Sequence, residues 1–181
     1  NTPAPWCNVL ANDQFGTVVS ESGLGYTWFR NAHEYRLTPW HNDPVSDPAG
    51  EAVYVRDEES GRFFSATPGP ARGSRTYVTR HGFGCTVWEH EEAGLQTELT
   101  TFVALDAPVK FFLLRVRNVS GRRRNLSATG YVEWVLGERR SRPGAHIVTE
   151  LDSQTGAILA RNSFSVEFGG SVGFFQTSEI S

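Results

Sequence analysis

The stretches VKFFLLRVR (residues 109–117) and RNLSATGYVEWVL (residues 124–136) decide the fold class. Both are rich in β-branched and aromatic residues, and a glycine-containing link at residues 118–121 lies between them. In the first stretch apolar side chains alternate with others, so one face is apolar and the other carries two arginines. The pattern predicts a β-hairpin whose first strand has one buried face, formed by Phe112, Leu114 and Val116.

Outward from this pair, short β-type runs with turn signals between them continue along most of the chain. No window of a dozen residues keeps the apolar spacing of an amphipathic helix, and nothing resembles a βαβ unit. We therefore predict a single all-β domain over residues 1–181, an antiparallel sandwich of two sheets. The further strands are predicted at residues 51–56, 62–65, 76–79, 85–90, 95–103, 146–151, 157–160, 164–168 and 172–176.

Composition excludes several classes of protein. The 181 residues carry a formal net charge of −3, which does not favour binding to nucleic acid. No run approaches the about 20 apolar residues that span a bilayer, and no basic-plus-apolar leader is present. The two cysteines, Cys7 and Cys85, are predicted to be free thiols in a reducing compartment, so we expect a cytoplasmic location. The first residue is not Met, and we expect the sequence to be part of a longer polypeptide.

The search for catalytic and metal motifs gives two weak candidates. His41, Asp43 and Asp47 offer metal-ligand chemistry, but their spacing matches no known metal motif, and a turn-rich loop is the favoured interpretation. His81 is either a catalytic base or a histidine with satisfied hydrogen bonds, and the second interpretation is favoured. We therefore predict no metal, no cofactor and no catalytic residue in this chain.

Other polar and aromatic residues leave alternatives open. Glu133, between Val132 and Trp134, is either a general acid with a raised pKa or the partner of an arginine, and we favour the partner. The basic run at residues 122–124 is interpreted as a solvated turn. Trp28, Trp40 and Trp88 are either sugar-stacking platforms or core residues, and core packing is the usual role of Trp. At this point the residues alone indicate a β-sandwich, with carbohydrate binding slightly favoured.

A set of motifs in one order extends this interpretation. The motifs are PWCNVLAN (5–12), FG (15–16), SESG (20–23), GYTW (25–28), RLTPW (36–40), NDPVSD (42–47), RHG (80–82), residues 95–103, RNVSG (117–121), YVEW (131–134), TGA (155–157) and ARN (160–162). Together they closely resemble the amino-terminal β-sandwich of the inverting glycoside phosphorylases, the family of cellobiose and chitobiose phosphorylase. Within that family, the phosphorylase-like region of cyclic β-1,2-glucan synthases is the most similar.

The resemblance implies a large super-sandwich of the galactose-mutarotase-like type, followed in the family by a helical linker and an (α/α)6 barrel. The barrel supplies the Asp general acid and most phosphate and sugar contacts, so no catalytic acid is carried over to this chain. The implied partners are the downstream barrel of the same chain, a β-glucan or other oligosaccharide, and a second copy in a homodimer. A glucan synthase parent would place the domain on the cytosolic side of an inner membrane.

The substrate-binding candidates lie in the segment from residue 137 to residue 146. This segment is too long for a tight hairpin and carries several arginines, whose guanidinium groups can donate to sugar hydroxyls or phosphate. In related phosphorylases the corresponding region reaches toward the active site of the other subunit, so the resemblance suggests a contact in trans. The candidates are Arg139, Arg140 and His146. A mobile surface loop is the competing interpretation.

Three roles are compatible with these observations. The domain packs on a catalytic barrel and frames its substrate cleft, or it is an independent carbohydrate-binding module, or it is purely structural. Saturable glucan binding by the chain alone favours the module, whereas a helical barrel encoded downstream favours the first role.

Overall fold

The computed structural model describes residues 4–43, 48–138, 146–164 and 167–178. Regular structure in these ranges is almost entirely β. Its thirteen strands are β1 Cys7–Ala11, β2 Phe15–Ser20, β3 Gly25–Phe29, β4 Glu51–Asp57, β5 Phe63–Ser65, β6 Tyr77–Gly82, β7 Cys85–Glu92, β8 Leu95–Val103, β9 Lys110–Asn118, β10 Leu126–Val132, β11 Ile147–Leu151, β12 Ile158–Asn162 and β13 Val172–Phe175.

All strand pairs are antiparallel, which confirms the predicted fold class. Across the described ranges the strands form four sheets, in the orders β1-β2-β3, β10-β4-β5, β6-β7-β8-β9 and β11-β12-β13. Turns at residues 58–60 and 93–94 join β4 to β5 and β7 to β8. Gly94 has a φ of +79°, a conformation that glycine adopts without steric cost.

The hairpin predicted from residues 109–136 is wrong. β9 pairs with β8 along its whole length, from Lys110 opposite Val103 to Asn118 opposite Leu95, whereas β10 pairs with β4. The link between β9 and β10 therefore crosses from one sheet to another. Alternation identified both strands correctly, but it carries no information about the partner of a strand: β9 pairs with its neighbour in sequence, β8, whereas β10 pairs with the distant strand β4.

Two further differences concern strand assignment. The strand predicted at residues 164–168 is not present in its described part, where Phe164 and residues 167–168 form turns. Conversely, β1, β2 and β3 were not predicted. In β2 five of the six residues are buried, so no alternation between apolar and polar positions marks this strand.

The sandwich core lies on the inner face of the β6–β9 sheet. Trp88 and Leu99 on that sheet pack with Leu10 and Val19 of the β1–β3 sheet. Leu95 packs with residues of β4 and β5, so the β10-β4-β5 sheet covers the other end of the same face. The β11–β13 sheet has a separate core, in which buried Ala160 packs with Tyr35, Leu136 and Phe168.

The predicted buried face of β9 is confirmed for two of its three residues. Phe112 and Leu114 pack against the core. Val116 lies on the same face but is 40% exposed, close to the end of β9, which is an edge strand of its sheet.

The interpretation of residues 122–124 as a solvated turn is wrong for Arg124. Its side chain is buried, and its guanidinium binds the buried carboxylate of Asp57 at 2.9 Å, whereas Arg122 is exposed. Burial alone would raise the pKa of Asp57, but hydrogen bonds from Ser60 and Glu59 and the charge of Arg124 outweigh it, so the pKa is lowered. Arg124 thus attaches the β9–β10 crossing to the end of β4.

Candidate functional site

Of the three substrate-binding candidates, only His146 lies in the described residues. Arg139 and Arg140 lie outside them, so their role remains a prediction. His146 is exposed immediately before β11, and its ring stacks on Phe164 with centroids 5.0 Å apart and an interplanar angle of 21°. The stack is an exposed aromatic pair directly before β11, and its contacts do not identify a ligand.

The remaining polar candidates have structural surroundings. His81 lies on β6 rather than in a loop; its Nδ1 is 3.0 Å from Thr86 Oγ1 and its Nε2 is 3.2 Å from the Trp6 carbonyl oxygen, so its hydrogen bonds are satisfied. Glu133 lies one residue beyond β10, and its N–H donates to the Gly50 carbonyl. Asp47, one of the three residues of the weak metal candidate, lies outside the described residues. In the described ranges no group of three His, Cys, Asp or Glu side chains is placed to hold a metal ion.

Cys7 and Cys85 are free thiols, as predicted. Among the residues that the structure covers, no helix has the length and apolar character needed to cross a membrane.

The three candidate tryptophans separate into core and surface. Trp88 is 1% exposed and belongs to the core, whereas Trp28 and Trp40 are half-buried. Both contact Tyr26: its ring centroid is 5.4 Å from that of Trp28 and 5.6 Å from that of Trp40. We call these three rings, Tyr26, Trp28 and Trp40, the aromatic platform.

The platform occupies the outer face of the β1–β3 sheet. Side chains alternate along β3, so Tyr26 and Trp28 face outward while Thr27 faces the core. Trp28 lies directly opposite Gly16 of β2, and a Cβ atom at Gly16 would be only 2.2 Å from the Trp28 ring. The indole therefore lies over the bare backbone of Gly16, on the outer face of the sheet.

Arg36 lies between the aromatic platform and Gly137, where the predicted substrate-binding segment begins. It forms an isolated β-bridge to Trp28 on one side and to Gly137 on the other, two residues before Arg139. Its guanidinium carbon lies 5.3 Å from the centroid of Tyr26, while Nε and Nη1 donate to the carbonyls of Ala32 and Trp40 at 3.2 and 2.9 Å. The platform is thus adjacent to the residue from which the predicted substrate-binding segment begins.

A buried ion pair supports the platform from the core side. Lys110 Nζ is 2.5 Å from Glu51 Oε2, and both side chains are largely buried. The other carboxylate oxygen, Oε1, accepts hydrogen bonds from Thr27 at 2.5 Å and Thr38 at 2.8 Å. Lys110 also donates to Thr17 of β2 at 3.0 Å. The network therefore connects β2, β3, β4 and β9, which belong to three different sheets.

The network determines the charge state of Glu51. Burial alone would raise the pKa of its carboxyl group. The positive charge of Lys110 and the hydrogen bonds from Lys110, Thr27 and Thr38 outweigh that effect, so the pKa is lowered. Glu51 is therefore ionised, and the pair is a charged one with most of its hydrogen-bonding positions filled.

We expect the network to make the fold sensitive to acid. Because the pKa of Glu51 is lower in the folded than in the unfolded chain, its contribution is complete above the unfolded value, about 4.3, and is lost as pH falls through the folded value. Urea unfolding at a series of pH values should show a steeper loss of stability below about pH 4.3 in the wild type than in Glu51→Gln. If the free energy of unfolding fell equally steeply with pH in the wild type and in Glu51→Gln, this assignment would be contradicted.

Sequence reasoning missed two parts of this site. Tyr26 and Arg36 were quoted only as motif residues, because the bridge that brings Arg36 beside Trp28 joins segments with no regular pattern. Lys110, the one lysine of the chain, was read as part of a strand. A lone lysine at an inward position of an alternating strand is a signal for a buried charge, but Glu51, 59 residues away, is not visible from spacing.

The antiparallel sandwich agrees with a comparison with known families: residues 1–181 match the model described as "Glycosyl hydrolase 94, supersandwich domain", and the chain belongs to this family.

Three relatives illustrate the family. The cyclic beta-(1,2)-glucan synthase NdvB of Rhizobium meliloti is 40% identical over 177 residues, which are 96% of this chain and 6% of that protein. An N,N'-diacetylchitobiose phosphorylase of Vibrio furnissii is 30% identical over 74% of this chain and 17% of its own length. The cellobionic acid phosphorylase of Neurospora crassa is 34% identical over 48% of this chain and 12% of its own. The chain thus spans a small fraction of each relative.

Proposed function

We propose that this domain belongs to a cyclic β-1,2-glucan synthase or a related β-glucoside phosphorylase, where it packs on the catalytic barrel and frames the substrate cleft. One observation carries the proposal: the chain is 40% identical over nearly its whole length to a glucan synthase of which it spans 6%. The phosphorylase relatives are likewise much longer than the chain. The partners in this proposal are a catalytic barrel in the same chain, a second copy of the protein and a β-glucan, and the location is the cytosolic face of a membrane.

The segment after Gly137 is the proposed point of contact with substrate. It begins beside Arg36 and the aromatic platform and ends at His146, whose ring is exposed. Guanidinium groups in this segment would donate to sugar hydroxyls or to phosphate in a fixed fork. The domain would then contribute binding groups to a reaction whose acid lies in the barrel.

The test is the double variant Arg139→Ala/Arg140→Ala in the full-length parent protein. If these arginines hold substrate, we expect kcat/KM for phosphorolysis or glucan synthesis to fall by about tenfold or more, which corresponds to the loss of about one charge-assisted hydrogen bond. A substrate role also requires that the melting temperature of the variant equals that of the wild type.

Arg123→Ala is the matched control, because Arg123 is an exposed arginine in the turn between β9 and β10. Unchanged kinetics in the double variant would rule out the substrate role. An equal loss in Arg123→Ala would show a general effect of charge.

An independent carbohydrate-binding module is the second candidate, favoured by the half-buried tryptophans of the aromatic platform on an outer sheet face. It predicts binding by the 181-residue chain alone, without a barrel.

A further inference from the structure

We propose that the aromatic platform is a binding surface for a gluco-oligosaccharide chain, with pyranose rings stacked on Trp28 and Trp40. The inference rests on the proposed carbohydrate role of the domain and adds to it a particular surface and ligand class. A pyranose presents a face of C–H groups and a rim of hydroxyls, so its site needs both a flat π-surface and nearby hydrogen-bonding groups.

The ring geometry meets the first requirement. Trp28 lies over Gly16, where any larger residue would displace it, and its side chain is half-buried, so part of it is open to a ligand. Trp40, also half-buried, stacks on Tyr26 with an interplanar angle of 29°. Tyr26 contacts both tryptophans and is itself only 9% exposed. Two partly open rings that share one buried neighbour suit a chain of sugars better than a single one.

Arg36 meets the second requirement. Its side chain is held by two carbonyls and by the face of Tyr26, so little conformational entropy remains to be lost on binding. Two of its nitrogens are engaged in these bonds, and Nη2 makes no hydrogen bond to the described part of the chain. A guanidinium fixed at the rim of an aromatic surface donates to pairs of neighbouring hydroxyls.

The platform is also rigid from below. Thr27, between the two platform residues of β3, donates to Glu51 in the buried network, and the Thr27 N–H donates to Thr38 Oγ1 at 3.0 Å. Because both its side chain and its backbone are tied to the core, β3 presents Tyr26 and Trp28 in one arrangement. A preorganised surface of this kind loses less free energy on binding than a flexible one.

The test is a titration of the 181-residue chain with linear β-1,2-gluco-oligosaccharides, followed by isothermal calorimetry and by tryptophan fluorescence. We expect saturable binding that weakens about tenfold or more in Trp28→Ala and in Trp40→Ala. Gly16→Ala should weaken binding as well, because the added methyl group displaces the Trp28 ring without removing it. Trp40 lies outside every strand, so Trp40→Ala keeps the test valid if the Trp28 variant does not fold.

Trp6→Ala is the control, since Trp6 is 72% exposed but lies outside the platform. Absence of binding by the wild-type chain, or binding unchanged in both Trp28→Ala and Trp40→Ala, would overturn the inference. An equal loss in Trp6→Ala would do the same. These outcomes are independent of the kinetics of Arg139→Ala/Arg140→Ala in the parent, so failure of the platform and failure of the proposed cleft role can be told apart.

Discussion

Replacing Lys110 with Met should lower the free energy of unfolding by about 3–5 kcal/mol, the usual cost of removing one partner of a buried ion pair. The variant leaves the carboxylate of Glu51 buried without its cation, 2.5 Å from where the ammonium lay. Met fills a similar volume, so the loss reports charge rather than a cavity. Unfolding in guanidinium chloride should show a lower midpoint concentration of denaturant. The m-value, the slope of the unfolding free energy against denaturant concentration, should not change.

Arg115→Met is the matched control. Arg115 lies on the same strand and binds Glu98 at 2.6 Å, but its side chain is 68% exposed, and such pairs contribute about 0–1 kcal/mol. The double variant Lys110→Met/Glu51→Leu should recover part of the loss, because no unpaired charge remains. A Lys110→Met variant no less stable than Arg115→Met would contradict the structural role of the pair.

Trp88→Ala should cost about 3–5 kcal/mol, the range found for large aromatic residues removed from a core. Trp88 is 1% exposed and lies between the β6–β9 and β1–β3 sheets, and its Nε1–H donates to the Glu21 carbonyl at 3.1 Å. The substitution therefore removes core contacts and one of the two hydrogen bonds that the Glu21 carbonyl accepts, the other coming from Thr79. The decrease should appear in chemical unfolding of the 181-residue chain.

The same change at Trp6 separates burial from residue type. Trp6 is 72% exposed, so Trp6→Ala should alter stability by no more than about 0.5 kcal/mol. A similar loss of unfolding free energy at both positions would mean that burial of Trp88 does not stabilise the core.

The comparison between sequence and structure follows the distinction between local and distant interactions. Alternation in residues 109–117 identified β9, because burial of one face is written in neighbouring residues. The partner of β9 was assigned wrongly, because β8 and β10 are both β-rich neighbours in sequence and only the packed core distinguishes them. Arg124 was likewise misread, since burial of its guanidinium depends on Asp57, 67 residues away.

The candidate site was predictable only in outline. Trp28 and Trp40 were singled out together with Trp88, but residue type does not distinguish a surface indole from a core one. The glycine opposite Trp28 and the bridge through Arg36 distinguish the platform tryptophans from Trp88. Both features are consequences of strand register. The resemblance to glycoside phosphorylases, by contrast, was recognised from motifs and is confirmed by the family match.

The buried network has a consequence for synthesis on the ribosome. Thr17 belongs to the second strand of the domain, but the lysine that it binds follows 93 residues later. The apolar inner face of the β1–β3 sheet, including Leu10 and Val19, is covered by Trp88 and Leu99, which also follow later in the chain. At about 5–20 residues per second, roughly 3–12 s pass between the synthesis of β3 and that of Trp88. We therefore expect nascent chains of this domain to pass through a stage with an exposed apolar face, to which holding chaperones would bind.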